Sequence, residues 1–193
     1  MKAGVLALQG AFAAHARVLE SLGATVVEVR TADDLALVDR LVVPGGESTT
    51  MSMAAERSGL LEPLREFVGS GRPTFGTCAG AILLAAECFD GRADQHQLAA
   101  IDISVRRNAF GRQIDSFEVD LPVPALGAAG LGDDGFHAVF IRAPAIERVG
   151  DGVEVLARVD DRPAAVRSGA IMVTTFHPEL AGDDRLHELF LRS

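Results

Sequence analysis

Among side chains able to do covalent chemistry, Cys78 stands in the most informative setting: Gly76-Thr77-Cys78-Ala79-Gly80, after the strand-like Pro73-Thr74-Phe75 and before Ile82-Leu83-Leu84. A strand running straight into a helix through G-x-C-x-G makes a tight turn. The flanking glycines remove side chains that would clash as the central residue is forced into a strained conformation. The thiol then stands above the carboxyl end of a sheet, and a helix N-terminus beneath it favours thiolate, the nucleophilic form. The same pentapeptide also suits a small buried cysteine between helix-packing glycines, and alone it leaves the two readings level. Cys88 has no such setting and reads as core.

A thiol nucleophile needs a base. His15 and His187 fall in predicted helices and His96 in a polar loop, where a solvated ring is the ordinary outcome; His137 begins a strand with no acidic neighbour at short range. His177 differs, ending the run Ile171–Phe176 and preceding Pro178-Glu179. Pro178 pushes His177 towards extended backbone, in which positions two apart share a side, so Glu179 can reach the imidazole. Alone this reads as a capped strand end; with Cys78 it supplies nucleophile, base and orienting carboxylate.

The third feature is Pro44-Gly45-Gly46-Glu47-Ser48-Thr49-Thr50 at the end of a predicted strand. It lacks the lysine of a phosphate-binding loop, and Glu47 would repel a phosphate. A glycine pair able to turn a peptide N–H inward suits an oxyanion hole, with the Ala79 N–H as second donor; an ordinary turn and helix cap fits equally. No two histidines or cysteines have metal-ligand spacing.

These loops need a sheet to hold them. Residues 3–8, Thr25–Val29, Leu41–Val43 and Pro73–Phe75 read as short strands, alternating with helices over Phe12–Leu22 (stopped by Gly23), from Ser48, over Leu60–Val68 and from Ile82. Such alternation predicts an α/β fold: a mostly parallel central sheet flanked by helices in three layers. In the second half Ile101–Arg106, Ile114–Leu121, Val139–Ile141, Val153–Val159, Ala164–Arg167 and Ile171–Phe176 read as closely spaced strands, added with antiparallel pairing. Residues 90–97 and the Gly- and Pro-rich stretch Pro122–Gly135 read as surface loops, and a last helix runs from about Asp183 to Leu191.

Composition narrows the function. A chain of 193 residues, 48% hydrophobic, makes one domain, 1–193, with a sizeable core. A net charge of −9 argues against nucleic acid or an anionic membrane as partner, and without Trp or Tyr there are no broad stacking platforms. Lys2 is the only lysine, so Schiff-base chemistry has almost nowhere to live. Two cysteines make no disulfide framework, and neither the N-terminal run Val5–Leu8 nor Ala79–Ala86 is long enough for export or membrane spanning. The expectation is a cytoplasmic protein.

Strand, Gly-Gly turn, Cys elbow and late His-Pro-Glu, in that order, resemble the class I (triad) glutamine amidotransferases. The segments Gln9-Gly10-Ala11-Phe12, Glu62-Pro63-Leu64-Arg65-Glu66-Phe67, Arg106-Arg107-Asn108-Ala109-Phe110-Gly111-Arg112-Gln113, Asp115-Ser116-Phe117-Glu118 and Phe140-Ile141-Arg142-Ala143-Pro144 are similar to one branch. That branch is the glutaminase subunit of the pyridoxal 5′-phosphate synthase complex, and the resemblance covers nearly the whole chain. It implies Cys78 as nucleophile, His177 as general base and acid, and Glu179 as orienter. It also implies that L-glutamine is held by Gly46, Glu47, Ser48, Arg107, Ile141 and Arg142, and the oxyanion by backbone of Gly45, Gly46 and Ala79. A bidentate arginine suits the α-carboxylate of free glutamine and an acid such as Glu47 its α-ammonium.

The implied reaction runs through a γ-glutamyl thioester, with no cofactor and no metal. The implied partner is a (β/α)8-barrel synthase subunit that takes the ammonia through an internal channel and combines it with ribose 5-phosphate and glyceraldehyde 3-phosphate, with Gln9-Gly10 as docking region. A glutaminase for another acceptor, such as imidazole glycerol phosphate synthase, is disfavoured by the Arg-Asn-Ala-Phe-Gly-Arg-Gln segment. PfpI-like hydrolases place their histidine soon after the cysteine, whereas Cys78 and His177 stand 99 positions apart. A purely regulatory subunit would not need Cys78, His177 and Glu179 together.

Overall fold

In the computed structural model, which describes residues 1–107 and 116–193, the apolar segments of the first half become parallel strands with helices between them. The order is β1 (Lys2–Leu6), α1 (Phe12–Ser21), β2 (Thr25–Val29), α2 (Ala32–Ala36), β3 (Arg40–Val43), α3 (Ser48–Arg57), α4 (Leu61–Gly69), β4 (Thr74–Thr77) and α5 (Ala79–Leu84). Then come β5 (Ala85–Phe89), β6 (Ile101–Arg106), β7 (Ser116–Leu121), α6 (Pro124–Ala128), β8 (Phe136–Ile141) and β9 (Ala145–Val149). The chain ends with β10 (Glu154–Val159), β11 (Arg162–Ser168), β12 (Ile171–Thr174), a 3-10 turn at Pro178–Leu180 and α7 (Arg185–Leu191).

Among the described residues the main sheet has seven strands in the order β10-β11-β12-β4-β3-β1-β2. From β12 to β2 all neighbours are parallel, and β10 and β11 extend the β12 edge antiparallel. Register explains why both faces are covered. Val5 pairs with Val42, Val42 with Phe75 and Phe75 with Met172, a row on the face against α1 and α7. One residue on, Leu6, Val43 and Val173 face the other way and pack with Met51, Leu64 and Phe67 of α3 and α4, as the two-residue repeat of a strand demands. Burying each such side chain contributes about 1.5–3 kcal/mol, and long uninterrupted apolar strands are what a doubly covered parallel sheet requires.

The second half departs from expectation in how its strands pair. Only β10 and β11 add antiparallel strands to the main sheet; β12 itself runs parallel to β4. β6 instead joins a separate sheet ordered β5-β6-β9, and among the described residues β7 pairs only with β8. β7 and β8 alternate buried and more exposed positions, so one face seats Phe117 and Phe140 on the core and the other meets solvent. The expected start of β7 at Ile114 lies outside the described residues.

β5 and β9 were not legible: the apolar run Ala79–Ala86 hides the break at Ala85, which is extended (φ −61°, ψ 153°) and pairs with β6. Pro122–Gly135 is not all loop, because Pro124 opens α6 and Leu126 inserts into the core. No helix among the described residues is long and apolar enough to cross a membrane.

α5 and β3 make a close join. A Cβ on Gly80 would lie 2.0 Å from the Val43 carbonyl oxygen, so helix and strand touch backbone to backbone. Gly80→Ala is expected to destabilise the protein by about 1–3 kcal/mol, read as a lower denaturation midpoint; an unchanged midpoint would contradict this packing.

Candidate active site

The loops leaving β1, β3, β4 and β12 emerge at the same edge of the sheet, the carboxyl edge where ligands of such folds bind. At the end of β4, Cys78 adopts φ 48°, ψ −104°, a left-handed strain that L-residues avoid unless the surroundings impose it. Its N–H donates to the Thr174 carbonyl at 2.9 Å, at the end of β12, and its own carbonyl accepts from the Ala81 N–H at 3.0 Å. Cys78 is thus tied to the neighbouring strand before it and the helix after it. The next N–H, that of Ala79, is first in α5 and has no intrahelical acceptor.

His177 follows β12 and is anchored by its own N–H, which donates to Val139 O on β8 at 2.8 Å. Its ring lies flat enough on Gly45 that a Cβ there would come within 2.5 Å of His177 Cε1 and 3.3 Å of Cys78 Cβ. Only glycine lets the end of β3 sit under this pair. Glu179 reaches His177 as anticipated, Nδ1 to Oε1 at 2.8 Å, but through the 3-10 turn at Pro178–Leu180 rather than along extended chain.

Burial favours the neutral form of His177, yet its hydrogen bond to Glu179 and the neighbouring Cys78 outweigh it and hold its pKa up at about 10. Burial likewise opposes charge on Glu179, and the His15 and His177 rings overcome that opposition, keeping its carboxyl well below the usual carboxylate range. A thiol beside an imidazole that is backed by a buried carboxylate can exchange a proton with a reacting group.

Two histidines were misplaced by the sequence reading. His15 and His187 are not solvated but fully buried, because the inner faces of α1 and α7 meet behind Glu179. His15 Nε2 lies 3.2 Å from Glu179 Oε2, outside hydrogen-bond geometry, and 3.1 Å from Thr77 Oγ1. His15 Nδ1 lies 2.9 Å from His187 Nε2. His137 does find acids, Asp120 at 2.9 Å and Glu118 at 3.0 Å, but across the β7–β8 ladder and at the surface.

Cys78, Ala79 and His177 open onto a cavity of about 310 Å³. Gly46, Glu47, Ser48, Arg107, Ile141 and Arg142 also line it, as expected, while Gln9, Ile82 and Pro144 were not foreseen as lining residues. The Ser48 hydroxyl is buried with no partner among the described residues, an unmet polar group at the wall of a cavity. Arg142 sits at φ 45°.

Glu47 is more committed than its sequence suggests. It caps α3, accepting from Thr49 N at 3.1 Å, Thr50 N at 2.7 Å and Thr50 Oγ1 at 2.7 Å, and it pairs with Arg107 Nη2 at 2.9 Å. Partial burial raises its pKa, but these donors together pull it down to about 2. Arg107 is held further by Thr49 Oγ1 at 2.8 Å and by Gln95 Oε1 at 3.0 Å. Behind Gly46, Gln9 Oε1 accepts from Glu47 N at 2.8 Å, and the Gly45 carbonyl accepts from Ala11 N at 3.0 Å. Asn108–Gln113 and Asp115, part of the branch resemblance, lie outside the described residues. Among the described residues no cluster of His, Cys, Asp or Glu could hold a metal.

Comparison with known proteins identifies the family. The model of the SNO glutamine amidotransferase family matches residues 5–193. A pyridoxal 5′-phosphate synthase subunit PdxT of Frankia alni is 57% identical over 97% of this chain and 92% of its own. That of Herpetosiphon aurantiacus is 54% identical over 99% of both. A crystal structure of a glutamine amidotransferase superimposes with a TM-score of 0.90 at 48% identity, over 98% of this chain and 97% of its own. The PurLQS structure from Thermotoga maritima, 18% identical with a TM-score of 0.67 over 99% and 97%, shares the fold. A match running over nearly the whole chain places this protein in the SNO glutamine amidotransferase family.

Proposed function

We propose that this chain is the glutaminase subunit of a pyridoxal 5′-phosphate synthase, hydrolysing L-glutamine to L-glutamate and ammonia on a single domain spanning residues 1–193. The observation that carries the reading is the strained Cys78 standing over Gly45 together with the His177 ring, which is backed by buried Glu179, at a cavity sized for a small amino acid. The relatives' names supply the acceptor: they are subunits of that synthase. The ammonia then passes to the partner synthase subunit, a (β/α)8-barrel. A reaction through a free Cys78 thiol suits a reducing compartment, the cytoplasm.

The sulfur of Cys78, as thiolate, attacks the side-chain carboxamide carbon of glutamine, and the carbonyl electron pair moves onto oxygen. The Ala79 N–H and, once turned, the Gly45–Gly46 peptide would hold that oxyanion. Collapse of the intermediate breaks the C–N bond while His177 donates a proton to the nitrogen, leaving a γ-glutamyl thioester and ammonia. His177 then takes a proton from water, whose oxygen attacks the thioester, and glutamate leaves with the thiol restored. Because the Gly45 carbonyl is engaged by Ala11 N–H, turning that peptide means releasing a bond made by the Gln9–Ala11 loop. This gives docking near Gln9-Gly10 a direct route to the oxyanion site.

Substrate recognition divides unevenly between the arginines. Arg107 is occupied by Glu47, Thr49 and Gln95. Arg142 has no carboxylate partner among the described residues and is the better ligand for the α-carboxylate of glutamine, with Ser48 Oγ supplying a further contact. Glu47 shapes the site by fixing Arg107, and it meets the α-ammonium only by sharing an oxygen already bonded.

The decisive measurement is glutamine hydrolysis by the chain alone and with the barrel subunit, scored with pyridoxal 5′-phosphate formation. Activation by a different synthase and none by this one would overturn the acceptor. Cys78→Ala is expected to abolish hydrolysis while leaving folding and partner binding intact, and substantial residual turnover would sink the triad. Arg142→Ala is expected to raise KM for glutamine roughly 10-fold or more with a smaller change in kcat.

The pH profile gives a further check. A raised His177 pKa keeps its acid form from about 6.5, the ordinary value, up to about 10. Activity of the complex should therefore persist through neutral pH and fall on the alkaline side. Glu179→Gln should move that alkaline limb to lower pH, and an unmoved limb would deny the carboxylate its orienting role.

A further inference from the structure

Glu179 is buried with no exposed side-chain surface, and only one of its oxygens, Oε1, is spent on His177. An ionised carboxylate out of water needs donors at both oxygens, because an unpaired buried charge costs several kcal/mol or else picks up a proton. What faces the second oxygen is not solvent but a pair of imidazoles from opposite ends of the chain. His15 on α1 presents Nε2 to Oε2, and His187 on α7 sits behind it against Nδ1.

The hydrogen bookkeeping of this pair has one favourable solution. Burial, reinforced by the nearby His15, pushes the His187 pKa down to about 3, so the ring is neutral with a single N–H. Its Nδ1 is buried with no partner among the described residues. A bare lone pair is cheaper to leave there than an N–H, so the proton belongs on Nε2, donated to His15 Nδ1. His15 then carries its own proton on Nε2, donated to Thr77 Oγ1 at 3.1 Å, with Glu179 Oε2 3.2 Å away beside that bond. Every donor in the series points the same way, from α7 through α1 towards Thr77, beside Glu179.

Among the described residues the surroundings contain no competing charge. Thr77 is the polar neighbour from β4. The charged residues of β1 and β2, Lys2 and Glu28, are exposed. On α7, Arg185 pairs with Asp183 and Glu188 with Arg192. Arg40 of β3 gives its guanidinium to the Phe190 and Leu191 carbonyls. On the far side of Glu179 stand His177 and, beyond it, Cys78.

We infer that His15 is a positioning residue for the glutaminase reaction: held in one tautomer by His187 and Thr77, it keeps the polar Nε2 edge of its ring 3.2 Å from Oε2 and steadies Glu179 by electrostatic contact, so that Oε1 stays aimed at His177 Nδ1. The inference rests on the triad reading given above. His15 touches neither substrate nor sulfur, and acts only through Glu179. Its removal therefore weakens the carboxylate's hold on His177 without altering the glutamine cavity.

The test compares His15→Leu and His15→Gln in the complex with the synthase subunit, with Cys78→Ala alongside. The leucine variant fills similar volume but offers no N–H; the glutamine variant retains a donor of similar reach. Expected for His15→Leu is a kcat roughly 10-fold lower with KM within about twofold. Its alkaline activity limb should also shift to lower pH by about one unit, as His177 loses support. The ammonium of free glutamine titrates identically in every variant and cancels.

His15→Gln should recover most of the kcat and the original limb. A folded His15→Leu with the parent kcat and pH profile, beside an inert Cys78→Ala, would overturn the inference alone. Residual hydrolysis in Cys78→Ala would overturn the triad and the inference with it. Should His15→Leu not fold, nitrogen NMR of histidine-labelled parent protein decides: protons on His15 Nε2 and His187 Nε2 are expected, and a bare His15 Nε2 would overturn the proposal.

Discussion

The site depends on parallel register. Because β1, β3, β4 and β12 all run the same way and pair residue by residue, their carboxyl ends are brought level, and four loops distant in sequence arrive at one edge. An antiparallel β12 would have put His177 at the opposite edge from Cys78. The apolar row of Val5, Val42, Phe75 and Met172 that locks this register is therefore as much a condition for chemistry as the polar residues it delivers. Backbone strain at Cys78 has the same origin, since its N–H is fastened to the end of β12 while the next residue is already helical.

Around that edge the protein handles buried charge in two distinct ways. At the rim, Glu47 and Arg107 neutralise one another at a half-exposed position, with α3 N–H groups completing the carboxylate's shell. Such a pair gives geometric definition more than stability. Inside, among the described residues, Glu179 has no arginine or lysine beside it and meets imidazoles, His177 on one side and His15 on the other. His177, held in its acid form, supplies the neighbouring positive charge, while His15 adds a polar neighbour without a buried guanidinium or ammonium to desolvate.

What was legible in the sequence was whatever is encoded locally. The Cys78 elbow could be read because strain, flanking glycines and helix start all lie within five residues. The His177–Glu179 pair could be read because two positions separate them, even though a 3-10 turn rather than extended chain closes the gap. The alternation of strands and helices through residue 84 follows from apolar period and glycine stops. His15 and His187 were misread for the opposite reason: nothing near either residue marks burial, and their meeting requires the first and last helices to pack on the same face of the sheet. β5 escaped notice because pairing with β6 overrides an apolar run that continues the helix pattern. Gln95, which steadies Arg107 and Thr49 from a polar loop, carries no sequence signal at all.

The contact between Gly80 and the Val43 carbonyl has a mechanical meaning. The strand leading to Gly45 and the helix beginning at Ala79 meet without any side chain between them, so no rotamer change can act as a cushion there. Separation of the two backbone segments that frame the proposed oxyanion site is consequently governed by hard-core repulsion, the stiffest spring available to a protein. Heating or repacking of the core would blur many distances in this molecule before it blurred that one.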